Sequence, residues 1–268
     1  MPLSIATWNI NSVRLRIDLV SAFLEAERPD VLCLQEIKCI EGNFPAGAFR
    51  KLGYEHQVVH GQKGYHGVAV VAKVPITEHI RRGFCGKDDA RHVAVNIAGP
   101  GALPITLHNF YVPAGGDEPD PAVNEKFAHK LAFLEEMKGW LRGAETLGPT
   151  ILVGDLNVAP LEQDVWSHKQ MLGVVSHTPV ETALLEAVRE SGGWIDAMRH
   201  FVPPEEKLYT WWSYRAADWQ ASNRGRRLDH IWVTPPLSGR LLGLEVKREA
   251  RGWNRPSDHV PVILRLAA

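Results

Sequence analysis

The sequence predicts an α/β fold of two packed sheets with helices outside, and three observations predict it. Short, β-branched-rich apolar segments recur in both halves of the chain. They outnumber the helical stretches. The chain also opens strand, helix, strand, and a sheet built that way needs helices to cover its apolar face.

Taken in order, residues 3–10 (LSIATWNI) and 31–36 (VLCLQE) read as buried strands. Between them, residues 17–27 place Leu19, Val20, Phe23 and Leu24 on one helical face, and Pro29 follows as a stop signal. Residues 67–71, 93–97 and 105–111 read as strands separated by Gly, Pro and charged turns. The clearest helix covers 121–141. Asp120 can cap it, Pro121 fits its first turn, Phe127, Leu131, Leu134, Met137 and Leu141 make an apolar stripe, and Gly143 suits its end. After the strand at 151–157 (ILVGDLN) come a helix near 181–190 and strands around 209–214, 228–233, 242–246 and 260–266. The stretches 115–120 and 218–225 read as long exposed loops, and no tandem repeat or low-complexity tract interrupts the chain.

With 268 residues and 45% hydrophobic content, the chain can bury a sizeable core. Polar groups suited to one site run from Asn9 to His259, which requires both halves to pack together, so one domain over 1–268 is expected. A net charge of −1 excludes a uniformly basic nucleic-acid coat, so a polyanion must be met by a local patch, with a metal ion supplying the rest. Cys33, Cys39 and Cys85 are too few and too irregularly spaced for a disulfide framework or a zinc site, which suits a reducing compartment, and Cys33 reads as a small core residue. No apolar run approaches the ~20 residues that span a bilayer. A soluble, cytoplasmic protein with no membrane contact is the expectation.

The most informative residues stand where apolar runs end: Asn9, Glu36, Asp155 with Asn157, Asp229, and Asp258 with His259. An ionised carboxylate costs several kcal/mol to desolvate unless it is paired or metal-bound. A turn cap explains any one of these residues as well as a site does. It explains the whole set poorly. If the chain stays extended after Glu36, Lys38 projects to the same side, either as an ion pair or as a phosphate contact beside a Mg²⁺ ligand. Asn9 and Asn11 would add neutral oxygens. Asp155 and Asn157 alternate and so share one side of an extended segment, with Gly154 letting the backbone turn closely. A carboxylate that takes a proton and an amide that holds an anionic oxygen are what attack on a phosphodiester requires. Near the C-terminus, Ser257, Asp258, His259 and Pro261 place an imidazole at a strand start, and Asp229 is its plausible carboxylate partner. Among 12 histidines, His259 stands out through these neighbours.

Together these residues resemble the exonuclease III family of apurinic/apyrimidinic DNA endonucleases, within the superfamily of deoxyribonuclease I-like metal phosphoesterases. The resemblance runs through TWNIN at 7–11, LQEIKC at 34–39, GYHGVAV at 64–70, NFYVP at 109–113, GDLNVAP at 154–160, TWWSYR at 210–215, GRRLDH at 225–230 and PSDHVP at 256–261. GDLN and SDH belong to the superfamily broadly, whereas QEIKC, GYHGVA and the WSYR to RLDH block point to the DNA-repair branch.

The resemblance implies a four-layered α/β sandwich of two packed mixed sheets flanked by helices, with the site at one end of both sheets. It makes Glu36 the principal Mg²⁺ ligand, Mn²⁺ being the substitute, with Asn9, Asp155, Asn157, Asp258 and His259 in the metal environment. Asp155 would orient or deprotonate water, Asn157 would hold the transition-state oxygens, and His259, held by Asp229, would contact the scissile phosphate. Whether Asp155 or His259 is the base stays open. Tyr111 would donate to the phosphate or help place the nucleophile, although a core tyrosine is the plainer reading. DNA contacts would come from Arg14, Arg16, Lys38, Lys63, Tyr65, Arg215, Asn223, Arg224, Arg226 and Arg227. Trp211, Trp212 and Leu228 match the family's apolar pocket for a flipped, base-free sugar, Trp212 also reading as core. The implied reaction is hydrolysis of the phosphodiester 5′ to an abasic site in duplex DNA, with 3′-to-5′ exonuclease and 3′-phosphatase activity. The partner is double-stranded DNA with abasic sites or blocked 3′ ends, met by a monomer. Two departures put the balance of activities in question: Ala114 stands where relatives often place an amide, and Arg226 where some place an apolar residue. The rival readings are another metal-dependent phosphoesterase of the superfamily, and a catalytically inactive DNA-binding module.

Overall fold

A computed structural model describes residues 2–99, 103–143 and 148–267. In chain order the strands are β1 (Leu3–Asn9), β2 (Val31–Gln35), β3 (His56–His60), β4 (Val68–Ala72), β5 (Ile76–Arg81), β6 (His92–Ala98) and β7 (Pro104–Tyr111). They continue with β8 (Thr150–Asp155), β9 (Ile195–Asp196), β10 (Trp211–Trp212), β11 (Gly225–Arg226), β12 (Asp229–Val233), β13 (Leu241–Val246) and β14 (Val262–Leu266). The helices that matter here are α1 (Ile17–Glu27), α2 (Ala46–Lys51), α3 (Glu125–Trp140), α4 (His168–Met171) and α5 (Pro179–Ser191).

Two six-stranded mixed sheets result, ordered β13-β14-β1-β2-β4-β3 and β5-β6-β7-β8-β12-β9, while β10 and β11 pair separately. Alternation along each strand explains the stacking. In β8, Ile151 and Val153 face the other sheet and meet Val31, Cys33 and Val70, while Leu152 turns outward to Phe133, Met137 and Leu185 on α3 and α5. On the opposite side, Trp8, Leu32 and Leu34 pack against Phe23 of α1 and Phe49 of α2. The order is helix, sheet, sheet, helix, the expected four layers. Because central strands bury both faces, they read in sequence as unbroken apolar runs. One polar stitch crosses the middle: Gln35 Nε2 donates to Thr7 Oγ1 at 2.9 Å and to Asn109 Oδ1 at 2.7 Å, and Asn109 Nδ2 donates to Leu34 and Ala69 carbonyls. Cys33 is buried core, as its sequence context suggested.

Several expectations need correction. Helix α3 starts at Glu125, capped by Asn124, whose side chain accepts from the Lys126 N–H. Asp120 instead closes a turn, accepting from Ala122 N–H. Leu131 is half-buried, and Lys130 takes a place on the buried face. The strand expected over 209–214 contracts to β10, and 218–225 holds a helical turn, Trp219–Ser222, capped by Asp218. Strands β3 and β5 and helix α2 were absent from the sequence reading. Most of β5 is exposed at a sheet edge, so burial imposed little pattern there.

Candidate active site

Strand register assembles the site. Across neighbouring strands Tyr111 pairs with Asp155, and Asp155 pairs with Asp229, so three polar side chains form a row at one end of the second sheet. In the first sheet β1 and β2 end together at Asn9 and Gln35, and Glu36 follows at once. The C-terminal PSDH turn is drawn to the same end. Ser257 Oγ donates to the Asn9 carbonyl at 2.7 Å, and Trp8 Nε1 donates to the His259 carbonyl. These ends enclose a cavity of about 220 Å³ lined by Glu36, Tyr111, Asp155, Asn157, Asp258 and His259, together with Ser176, Trp211, Arg226 and Leu228.

Backbone departures aim these groups. The chain does not stay extended after β2: Glu36 and Lys38 have φ of 49° and 52°. The Lys38 ammonium nevertheless pairs with Glu36 Oε2 at 2.8 Å. Nor do Asp155 and Asn157 share an extended face, because Asn157 has φ 53° and folds back to donate its N–H to Asp155 Oδ1 at 3.0 Å. Left-handed backbone at non-glycine residues costs about 1–3 kcal/mol each and tends to gather at functional sites. Gly154 is required for another reason: a Cβ there would lie 2.0 Å from the Phe110 carbonyl oxygen.

Polar contacts bind the cluster. Asn9 Nδ2 bridges Glu36 Oε1 at 2.9 Å and Asp155 Oδ2 at 2.8 Å, while its Oδ1 accepts from Asn11 N–H. The carboxylates therefore face the amide nitrogen of Asn9, not the oxygen expected of a metal ligand. Asn157 Nδ2 is spent on the Val112 carbonyl and on Asp155 Oδ2, so it orients Asp155 and has no free N–H for a substrate oxygen. Asp258 accepts from Asn11 Nδ2 and Trp211 Nε1. His259 Nδ1 lies 2.8 Å from Asp229 Oδ2, and its Nε2 lies 3.6 Å from Asp155 Oδ2.

Burial opposes charge on His259, but the Asp229 and Asp155 carboxylates outweigh it and raise the pKa to about 10. An imidazolium offers no lone pair, so a cation placed here would have to be held by the carboxylates. Burial also raises Asp155. His259 pulls it back, Asp229 and Glu36 add to it, and it settles at about 7. For Glu36 burial acts upward too, yet Lys38 and Asn9 leave a net downward shift. Burial, with Glu36 and Asp155 nearby, pushes the Tyr111 phenol well above its usual range and keeps it a donor. Ligand atoms of Asp155, Asp229 and His259 lie within 4.8 Å of one another. Asp229 Oδ1 is buried without a hydrogen-bond partner. Crowded carboxylates with an unmet oxygen suit a hard divalent cation.

The expected DNA-facing residues divide. Arg14, Lys63, Tyr65, Arg215, Asn223 and Arg224 are exposed, and Lys38 and Arg226 are half-buried, Arg226 in the cavity wall and Lys38 paired with the lining Glu36. Three are corrected. Arg227 is fully buried, bound to Asp164 and Asp196. Arg16 is buried and directs its guanidinium to the Asn11 and Arg255 carbonyls. Trp212 is core, packed with Tyr209, Ala250 and Val260, leaving Trp211 and Leu228 as the apolar wall.

Sequence reasoning missed a buried pair behind the cavity. Lys130 Nζ donates to the Asn157 carbonyl at 2.7 Å, to the Ala114 carbonyl at 3.3 Å and to Glu181 Oε1, while Glu181 accepts the Ser176 and Thr178 N–H groups. Three cavity-lining loops are thereby tied together. The Thr178–Glu181 capping box was a legible signal, since T-P-V-E opens an apolar helix. Lys130 gave none, because a lysine in an amphipathic helix ordinarily faces water.

An α/β sandwich with a carboxylate and imidazole cavity at the common end of its sheets defines a class of phosphoester hydrolases. The Endonuclease/Exonuclease/phosphatase family model matches residues 6–259, which span the whole cavity, and the chain belongs to that family. It is 32% identical to exodeoxyribonuclease III of Haemophilus influenzae, over 96% of this chain and 97% of the relative. Among solved structures it is similar to an AP endonuclease from Archaeoglobus fulgidus, with TM-score 0.89 and 31% identity, covering 99% of this chain and 100% of that one. A 3′ phosphatase from Neisseria bound to a product DNA hairpin matches with TM-score 0.90, 31% identity and the same coverage.

Proposed function

We propose that the chain is a DNA-repair nuclease that hydrolyses the phosphodiester 5′ to an abasic site and trims blocked 3′ ends. The convergence of Glu36, Asp155, Asn157, Asp258 and the Asp229–His259 pair in one cavity carries this reading. Glu36 would hold Mg²⁺ with Asp258 beside it. When bound, the cation would lower the cost of negative charge on the phosphoryl and leaving oxygens. Asp155 accepts the proton of the attacking water, because His259 is already protonated and acts as a charged donor to a non-bridging phosphate oxygen. Asp229 keeps the imidazolium oriented, and Asn157 keeps Asp155 oriented. Attack in line with the P–O bond leaves a 3′-hydroxyl.

Exposed Arg14, Lys63, Arg215 and Arg224 would meet phosphates without reading sequence. A missing base removes stacking, so turning the sugar toward Trp211 and Leu228 is cheap. The test is a gel of end-labelled duplex with one abasic analogue, with Mg²⁺ and then with chelator. Incision with Mg²⁺ that ceases on chelation is expected. Bound but intact DNA in Mg²⁺ would mean a binding module.

A further inference from the structure

We propose that Arg226 is the subsite for an anionic group on a blocked 3′ end, and that it tunes the cavity toward 3′-phosphomonoesters. This rests on the nuclease reading above and names a substrate preference within it.

Among the described residues that line the cavity, Arg226 is the cation without a carboxylate partner. The lining His259 is neutralised by Asp229, and Lys38 just outside the lining by Glu36, each at 2.8 Å. Among the described residues Arg226 makes no ion pair, and the nearby Glu181 carboxylate is committed to Lys130. Its Nη1 donates to the Val175 carbonyl at 3.2 Å and to Ser176 Oγ at 2.9 Å. Its guanidinium stacks over Trp211, 4.9 Å from the ring centroid. That leaves Nε buried without a partner and Nη2 with no hydrogen bond to the described residues. A guanidinium with unmet donors in a confined cavity is costly until an anion reaches it. Fixed by the stack and by two bonds, it is already oriented to receive one.

The chemistry of the substrate supplies that anion. In a diester, the oxygen of the scissile phosphorus that points away from the retained 3′ oxygen carries the next sugar, which is neutral at an abasic site. In a 3′-phosphomonoester the same oxygen is ionisable and adds negative charge. During hydrolysis the water oxygen bonds to phosphorus, the bond from phosphorus to the 3′ oxygen breaks, and that oxygen takes a proton. The products are inorganic phosphate and a 3′-hydroxyl. Arg226 shares the cavity with Trp211 and Leu228, the wall assigned to the sugar side, so its charge lies where the two substrates differ.

The experiment compares kcat/KM for phosphate release from a nicked duplex ending in 3′-phosphate with that for incision at an abasic analogue. Arg226→Met keeps the stem over Trp211 and removes the charge, and Arg226→Lys keeps the charge. Expected is a fall of about 10- to 100-fold in 3′-phosphate release for Arg226→Met, several-fold larger than its fall in incision, with Arg226→Lys lying between. An equal fall in both activities would make Arg226 a strut for the Val175–Ser176 backbone and overturn the proposal. So would a wild-type protein that incises abasic DNA but ignores 3′-phosphates. A wild-type protein inert on both substrates removes the nuclease reading and this inference with it.

Discussion

Two buried charge clusters lie close in sequence and behave in opposite ways. Around Arg227, the guanidinium binds Asp164 through Nε and Nη2 and Asp196 through Nη1 at 2.7–2.9 Å, and Arg199 adds a second contact to Asp164 at 2.5 Å. Two cations face two anions. Burial pushes Asp164 upward, but Arg227 and Arg199 more than offset it and its pKa falls. In the candidate cavity Asp155, Glu36 and Asp258, with Asp229 behind His259, outnumber their cationic partners, and Asp155 is pushed up to about 7. Identical residue types thus make a strut where charges balance and a reactive site where they do not. The surplus of unmet charge, more than burial itself, separates a site from a scaffold.

The sharpest way to break this comparison is Asp155→Asn. Turnover should fall by about 10²- to 10⁴-fold, the range of a lost general base, while thermal melting stays near wild type because a poorly compensated charge has been removed. A variant with near-native incision would refute the base. Next in size is Arg227→Leu, which leaves Asp164 and Asp196 without their shared cation. Urea unfolding should show a loss of about 3–5 kcal/mol, with turnover of the folded fraction little altered. If incision collapsed while stability held, the cluster would belong to the site.

The smallest effect concerns histidines. Burial keeps His108 and His230 neutral, with pKa values near 4, below the ordinary 6.5. The unfolded chain then binds more protons between those values, so their contribution is present above pH 6.5 and is lost as pH falls toward 4. His259 has the opposite sign. Raised to about 10, its contribution is full below pH 6.5 and fades as pH rises toward 10. Urea midpoints in chelator across that range, for wild type and His259→Gln, should separate the acid-side loss from the alkaline-side loss. A variant whose alkaline loss equals that of wild type would remove the assignment.

Central strands and amphipathic helices were legible because burial imposes a period on them: α1 covers the expected span, and α5 lies within two residues of it. Exposed β5 and the short β10 lack such a constraint. The polar residues at strand ends were likewise legible, since buried carboxylates violate the apolar pattern around them. Arg227 was misread because a guanidinium looks the same in sequence whether it meets phosphate or a hidden aspartate. Lys130 was missed for the same reason, its partner Glu181 lying 51 residues away.

By itself, then, the sequence determined the alternation of strands and helices and the presence of acids, amides and an imidazole at strand ends, because local periodicity and desolvation cost are carried by neighbouring residues. Tertiary structure alone decided which charges meet. Pairings such as Asp155 beside Asp229, Asn9 between two carboxylates and Arg226 without an acid depend on strand register and loop closure, and a Coulomb interaction depends on distances that no local pattern records.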